Sequence, residues 1–447
     1  MLTGLVSVMT LTLEHLSRQL ELAPDSKQLI VALSGGVDSV VLLHALYRLQ
    51  QAGQFPQKLS AIHVNHGLQD DAQDWEMFCK QFCDQRNIPL ICRRVTVSAE
   101  GSLENAARES RYGAFTELLQ DGDLLLLAHH LDDQLETFFL RLQRGAGVSG
   151  LSAMPTSRQL GKGMLHRPLL DVSRQAIEAY GQLEGLQWIE DGSNCDTQHD
   201  RNFVRLEVLP LIASRWPGYR ESWSKSLGLL EEAGGLLKEL AASDLYSVAD
   251  SGKSLNGEAL AQLSTARLRN LLRFWLKQLG QEEPGWNPLQ AITRDSLTER
   301  REGVVLEMPA YTLQLFSGTL HVVSREWEKN LPAEMELVLK ADSTVAHGGN
   351  GFLHMQATEG EGIGNFSGPL QVRLRQGGEE IRLPGRPTKS LKKLFQESQV
   401  PPWLRERTPL LFSEQTLVCV PGLGIAEGFA ASPGEKGIQI EWEPPRF

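Results

Sequence analysis

Apolar and polar positions come in alternating blocks over the first two hundred residues. Residues 29–33 (LIVAL) form a short apolar run, and from Ser39 (SVVLLHALYRL) the apolar residues recur at helical spacing, so a buried strand feeding a helix is predicted. The same alternation returns at 59–64, 72–87, 90–97, the helix opening at Leu103, and 123–128, and continues through a short strand before Pro168 to a helix capped near Ser173. Strands and helices repeating in this way predict an α/β, doubly wound, Rossmann-like parallel sheet with its ligands at the carboxyl ends of the strands. Beyond Tyr219 the pattern becomes helical (SWSKSLGLLEEAGGLLKEL, then LAQLSTARLRNLLRFWLKQLG), and residues 303–324 read as a strand hairpin. Residues 325–365 are acidic and weakly periodic, whereas the segment from Gln371 onward alternates as short strands do around one basic helix. The expected division is a nucleotide-binding domain at 1–215, a mainly helical domain at 216–330, a linker or peripheral segment at 331–365, and a small β-rich domain at 366–447.

Between the first strand and its helix lies SGGVDS. Glycines there let a ligand approach the backbone, and the free N–H groups of the helix start point into the same space, which suits a phosphate. Ser34, Gly35, Gly36, Val37 and Ser39 are therefore candidate phosphate contacts, and Asp38 needs a divalent cation between its carboxylate and the phosphate. A Walker A loop is excluded, because no GK[ST] follows. His63, Asn65 and His66 fall at the carboxyl end of the second strand, where a polar cluster points to the nucleotide pocket. Arg108 and Arg111 lie one turn apart on a helix with Tyr112 and can act as an anion clamp or as a solvated stripe.

The fourth strand runs into HHLDDQLET. Asp132 or Asp133 is expected to cap the following helix, and Asp133 and Glu136 project from its first turn. Together with Asp38 they can serve Mg²⁺ on ATP, which needs one or two carboxylates besides phosphate oxygens. Zinc is disfavoured: His129 and His130 are adjacent and point different ways, and no cysteine partners accompany them. Residues 145–150 match GxGxxG, but they close a helix where a dinucleotide loop would open one, so Gly145 reads as a C-cap in a flexible loop. Further on, Arg201 and Arg205 share a helix face and can reach phosphate.

The 447 residues carry a formal charge of −11, which argues only weakly against a nucleic-acid partner because clustering matters more than the sum. Residues 371–395 hold Arg373, Arg375, Arg382, Arg386, Lys389, Lys392 and Lys393 against two glutamates, a local basic excess suited to an RNA backbone. Arg267, Arg269, Arg273 and Lys277 leave open either an RNA surface or an amphipathic core helix. Five unpaired cysteines fit a reduced, cytoplasmic protein, and the N-terminus lacks the basic region of a signal peptide, with Met9 an alternative start. No apolar run is long enough for a membrane span.

SGGVDS resembles the pyrophosphate loop of the ATP pyrophosphatase (PP-loop) superfamily. Together with HVNHGL, NAARESRY, HHLDDQLETFFLRLQRGAGVSGLSAM, RPLL and the series Trp188, Asp191, Ser193, Asn194, Asp196, Arg201, Asn202, Arg205, the chain is similar over roughly residues 28–205 to the tRNA(Ile)-lysidine synthetase family. That resemblance implies ATP-dependent ligation of L-lysine to the wobble cytidine of a CAU-anticodon tRNA(Ile) through an adenylated cytidine, releasing diphosphate and AMP. It implies ATP on Ser34–Ser39, His63 and His129, with Asp38 and Asp133 holding Mg²⁺ and Glu136 orienting the lysine amine. Arg108, Arg111 and Arg205 would neutralise phosphates, and Arg201, Arg205, Lys389, Lys392 and Lys393 would contact tRNA; a homodimer is left open. Two alternatives share the loop. Cytidine thiolation would need cysteine pairs that this chain lacks, and an ATP-responsive RNA-binding protein without catalysis would not need carboxylates around its phosphates.

Overall fold

The computed structural model describes residues 11–21, 26–67, 72–96, 103–250, 254–290, 292, 297, 302–364, 366 and 368–445. The alternative start at Met9, Leu68 of the HVNHGL motif and the last predicted strand residue, Val97, lie outside these. The chain forms two compact units, Met1–Leu236 and Leu237–Phe447.

In the first unit, helix α1 (Leu13–Leu20) precedes β1 (Gln28–Ala32), α2 (Val37–Gln51), β2 (Lys58–Asn65), α3 (Ala72–Asp84), β3 (Leu90–Arg94), α4 (Leu103–Leu118), β4 (Asp123–Leu126) and α5 (Leu131–Gln143). A four-residue helix, α6 (Val148–Leu151), leads to β5 (Ser157–Leu160), β6 (Gly163–His166) and α7 (Arg174–Leu183). The six strands lie in the order β3-β2-β1-β4-β6-β5, parallel except for edge strand β5. The doubly wound expectation is thus met, with a β5–β6 hairpin as its antiparallel edge. Both faces are covered by helices, which is why β1 and β4 read as unbroken apolar runs: Leu29, Val31, Leu124 and Leu126 enter one core cluster and Ile30, Ile62, Phe115 and Leu125 another. Chain direction across the sheet reverses between β1 and β4, and the crevice beyond their carboxyl ends is where such folds take ligands.

The unit closes with α8 (Asp200–Phe203), a π-helical turn at Val204–Val208, α9 (Leu209–Arg215) and the 30-residue helix α10 (Tyr219–Val248), which continues into the second unit. The glycine-rich stretch after α5 is hydrogen-bonded back to that helix. Gly145 takes φ +69° just past the C-cap, and Arg141 donates to Gly150 O (2.7 Å) and Ala153 O (2.5 Å), pinning the loop around α6.

The second unit holds an antiparallel sheet, β7-β10-β9-β8, comprising Ser254–Asn256, Gly303–Glu307, Tyr311–Phe316 and Thr319–Ser324 in chain order. Its β9–β10 turn uses Ser317 (φ +50°) and Gly318 (φ +80°), the left-handed pair that a two-residue hairpin needs. Helix Thr265–Gln278 buries Leu268, Leu271, Leu272, Trp275 and Leu276 in this unit's core, while Arg267 pairs with Asp244 and Lys277 with Glu283. Those two basic residues are held by acids of the same unit, which favours the amphipathic-core reading for that helix. Strand Met335–Val338 pairs with Pro369–Arg373, and Phe352–Glu359 pairs with both Ser343–Ala346 and Lys436–Glu443, so the described part of 331–365 carries strands hydrogen-bonded to the C-terminal β structure.

Candidate active site

The SGGVDS turn is braced from within. Ser39 Oγ accepts from Ser34 N (3.1 Å) and donates to Gly36 O (3.0 Å), and Gly36 N donates to Ser34 Oγ (3.3 Å). Gly35 sits at φ +93°, where a Cβ would also come within 3.2 Å of Ile189 Cδ1, so both conformation and space require glycine there. Ile189 N donates to Gly35 O (2.9 Å), tying the distant 185–191 loop to the turn. Val37 differs from the other loop residues, because its side chain is buried in the core and only its backbone faces the turn.

Asp38, in the first turn of α2, points toward the β4–α5 junction. His130 is the N-cap of α5: its Nδ1 accepts from Asp133 N (3.4 Å), while Asp133 Oδ2 accepts from His130 N (3.0 Å). This corrects the expectation that Asp132 or Asp133 is the cap. Asp133 is the reciprocal partner three residues on, and Asp132 instead accepts from Arg174 N (2.9 Å) and Arg220 Nε (3.0 Å). His130 Nε2 stands 3.7 Å from Asp38 Oδ1 and 3.5 Å from Asp133 Oδ2, so one imidazole lies between the carboxylates of two loops.

A buried guanidinium–carboxylate lattice backs this junction. Glu136 is fully buried; its Oε1 accepts from Arg205 Nε (2.6 Å), and its Oε2 accepts from Arg201 Nε (2.7 Å) and Arg205 Nη2 (3.0 Å). Asp133 Oδ1 accepts from Arg201 Nη2 at 2.9 Å and from Arg205 Nη2 at 3.4 Å. Burial works against the charge on Asp133, yet His130 and Arg201 hold its carboxyl well below the usual range. Asp38 goes the other way: burial raises it, and the nearby Asp133 adds to the rise. Burial drives His129 down to about 3, so its imidazole is neutral. With Nδ1 accepting from Arg167 Nε (3.4 Å), the ring's remaining proton sits on Nε2.

These elements surround a cavity of about 730 Å³ at the carboxyl ends of β1, β2 and β4. Ser34, Asp38, Ser39, His63, Arg108, Arg111, His129, Asp133, Arg201 and Arg205 all line it. The cavity wall also includes Trp75 and Tyr112. Trp75 was missed by sequence reasoning, since a tryptophan on an amphipathic helix reads as core. His63 donates through Nδ1 to Leu33 O at 2.9 Å, which fixes the ring.

The structure places the remaining candidate residues as follows. Glu136 does not line the cavity, and both its oxygens are taken by arginines, so it cannot meet a lysine amine in this arrangement. Arg201 and Arg205 line the cavity but are already neutralised by acids, unlike free phosphate or tRNA contacts. Lys389, Lys392 and Lys393 belong to the second unit, where Lys389 pairs with Glu397 (2.6 Å) and Lys392 and Lys393 are exposed. No cluster of three or more His, Cys, Asp or Glu suited to a metal occurs among the described residues. The carboxylates lining the cavity are those of Asp38, Asp133 and Asp191, and Asp38 Oδ1 is buried without a hydrogen-bond partner.

A braced SGGxDS turn opening on such a cavity defines a PP-loop nucleotide-binding protein, and the PP-loop domain family matches residues 9–212. The "TilS substrate binding domain" matches residues 255–321 and the "TilS substrate C-terminal domain" residues 370–442. A tRNA(Ile)-lysidine synthase of Coxiella burnetii is 37% identical over 453 residues, 97% of each chain. One of Pseudomonas aeruginosa is 41% identical over 435 residues, 93% of each. The chain belongs to the tRNA(Ile)-lysidine synthase family. A solved U34-tRNA thiolase from Methanococcus maripaludis covers 49% of this chain and 79% of its own at 19% identity and a TM-score of 0.39, a likeness too slight to bear on function.

Proposed function

We propose that the protein ligates L-lysine to C2 of the wobble cytidine of CAU-anticodon tRNA(Ile) in the cytoplasm, converting ATP to AMP and diphosphate. The observation that carries this reading is near-full-length similarity to tRNA(Ile)-lysidine synthases in a chain whose PP-loop turn, Asp38 and Asp133 face one cavity. The cytidine O2 attacks the α phosphorus of ATP and diphosphate leaves. The lysine ε-amine, having lost a proton, then attacks C2; the C2–O2 bond breaks and AMP departs. Adenylation is needed because an unmodified carbonyl oxygen is a poor leaving group.

The backbone of Ser34–Ser39 holds the leaving diphosphate at the start of α2, with the Ser34 and Ser39 hydroxyls beside it. His129 donates its Nε2 proton to a phosphate oxygen and stays neutral across the working pH range. Arg108 and Arg111 supply positive charge on the opposite wall. When bound with ATP, Mg²⁺ would be held by Asp38 and Asp133 and would offset phosphate charge during attack; the unpartnered Asp38 oxygen fits that use. Glu136 acts by holding Arg201 and Arg205 in place. Lys389, Lys392 and Lys393 contribute to tRNA binding, and the cytidine leaves its stack at modest cost in an anticodon loop. Against thiolation stands the burial of Cys79 and Cys83, which pushes their thiols up to about 12.

Radiolabelled lysine supplied with ATP, Mg²⁺ and a CAU-anticodon tRNA(Ile) tests the reading. Incorporation by the wild type and its loss in Asp38→Ala are expected; no incorporation by the wild type would refute it.

A further inference from the structure

The arginines of the first unit divide by what neutralises them. Arg174, Arg201, Arg205 and Arg220 each pair with a carboxylate. Arg108, Arg158 and Arg167 do not: among the described residues none of the three has an acidic group within ion-pair distance. Arg167 is almost wholly buried and donates to Pro155 O (2.7 Å) and His129 Nδ1 (3.4 Å). Arg158 has a 3.3 Å contact to Gln159 O.

Two of them, Arg108 and Arg158, lie over Tyr112, and the charge of Arg167 acts on its hydroxyl. The guanidinium carbon of Arg108 lies 5.0 Å from the Tyr112 ring centroid and that of Arg158 lies 5.1 Å from it. The effect of the cluster registers on the phenol. Burial raises the Tyr112 hydroxyl, but the charges of Arg108, Arg167 and Arg158 outweigh it and leave the group below its ordinary value. Arg167 is itself depressed, first by burial, with Arg158 and Arg108 adding to the fall. Two cations on one ring, with a third acting on its hydroxyl and no acid paired with any of them among the described residues, make a site for an anion brought from outside.

Position narrows that anion. Arg108 and Tyr112 line the cavity, whereas Arg158 does not: it is exposed on edge strand β5. The basic track therefore runs from the cavity wall to the outer edge of the sheet. The carboxylate of a small substrate enclosed in the cavity would meet its inner end alone. A chain of phosphodiesters with one nucleotide inserted would meet both ends.

We propose that Arg158, with Arg108, Tyr112 and Arg167, forms a phosphodiester subsite for the RNA backbone adjoining the nucleotide held in the cavity. The inference rests on the RNA-directed function above and adds to it a place where the strand leaves the cavity.

The test uses Arg158→Gln in the full-length protein, a change on an exposed edge that leaves the core untouched. Binding of tRNA(Ile) is measured at several KCl concentrations, alongside ATP affinity and the KM for L-lysine. Losing one single-strand phosphate contact should lower the slope of log K against log salt by about 0.7 and weaken tRNA binding roughly 3–10-fold at moderate salt. Arg158→Lys, which keeps the charge, should retain the wild-type slope. Unchanged tRNA affinity and slope in Arg158→Gln would overturn the proposal, and so would a change confined to the KM for L-lysine, which would place a carboxylate there. Failure of the function reading is separable, because it would appear as absent lysine incorporation by the wild type.

Discussion

Replacing Glu136 by glutamine separates a structural role for this acid from a chemical one. The side chain is fully buried and accepts three hydrogen bonds, at 2.6, 2.7 and 3.0 Å, from two guanidinium groups. Glutamine keeps the shape but removes the charge and turns an N–H₂ toward groups that can only donate. Removing one partner of a buried ion pair costs ~3–5 kcal/mol, since the other charges remain unpaired. Arg201 and Arg205 are 27% and 22% exposed, and Asp133 still reaches both, so the low end, ~3 kcal/mol, applies here. In a unit the size of Met1–Leu236 that lowers the unfolding midpoint by about 6–12 °C. Calorimetry of the first unfolding transition, with ATP affinity measured on the same samples, checks it. If Glu136→Gln unfolds where the wild type does, binds ATP normally and loses only the lysine-dependent step, the lattice argument fails and Glu136 acts on the amine directly.

Asp38→Asn should raise the Mg²⁺ concentration needed for half-maximal ATP–diphosphate exchange with tRNA present by about 10–100-fold, because one of two carboxylates is lost; an unchanged Mg²⁺ dependence would remove Asp38 from the metal site. His15 lies 3.0 Å from Asp171, and their hydrogen bond raises its pKa above the ordinary 6.5 against the opposing effect of burial. A raised histidine stabilises fully below the unfolded value and loses that contribution as pH climbs through the folded one, so Asp171→Asn should cost ~1 kcal/mol near pH 6 and much less near pH 9 in urea unfolding. An equal cost at both pH values would count against the pair. Lys392 and Lys393 have exposed side chains, and changing both to glutamine should lower the salt slope of tRNA binding by up to about 1.8 if each meets duplex phosphate. A slope equal to the wild type's would exclude them from the interface.

The strands and the turn were legible because each depends on neighbours in sequence. An apolar run followed by SGG and a helical period specifies strand, turn and helix locally, and Gly35 at φ +93° is the residue type that turn demands. The α5 cap was misassigned for a physical reason. Aspartate is the stronger N-cap on average, but here His130 takes that place and Asp133 completes the box. Helical spacing put Arg201 and Arg205 on one face, yet it could not reveal that Glu136, 65 and 69 residues away, occupies that face. For residues 331–365 the sequence left linker and peripheral segment open, because their strands are short and two of them find partners only later in the chain.

Charge in this site is sorted by whether it has been answered. Where Arg201 and Arg205 meet Glu136 and Asp133, cation and anion are matched inside the fold, and the result is rigidity: the lattice fixes the carboxylate that faces Asp38. A bound phosphate could recruit those guanidiniums only by breaking bonds of 2.6–2.9 Å to buried acids. Among the described residues Arg108, Arg158 and Arg167 have no acid as partner, and they come from α4, β5 and the end of β6, whereas Arg201 and Arg205 come from α8 and the π-helical turn. Asp38, with a buried oxygen lacking a hydrogen bond, is the anionic counterpart of the same condition. Among the described residues, Asp38 Oδ1 without a hydrogen bond and Arg108, Arg158 and Arg167 without an acid are what metal-bound ATP and an RNA strand would satisfy together.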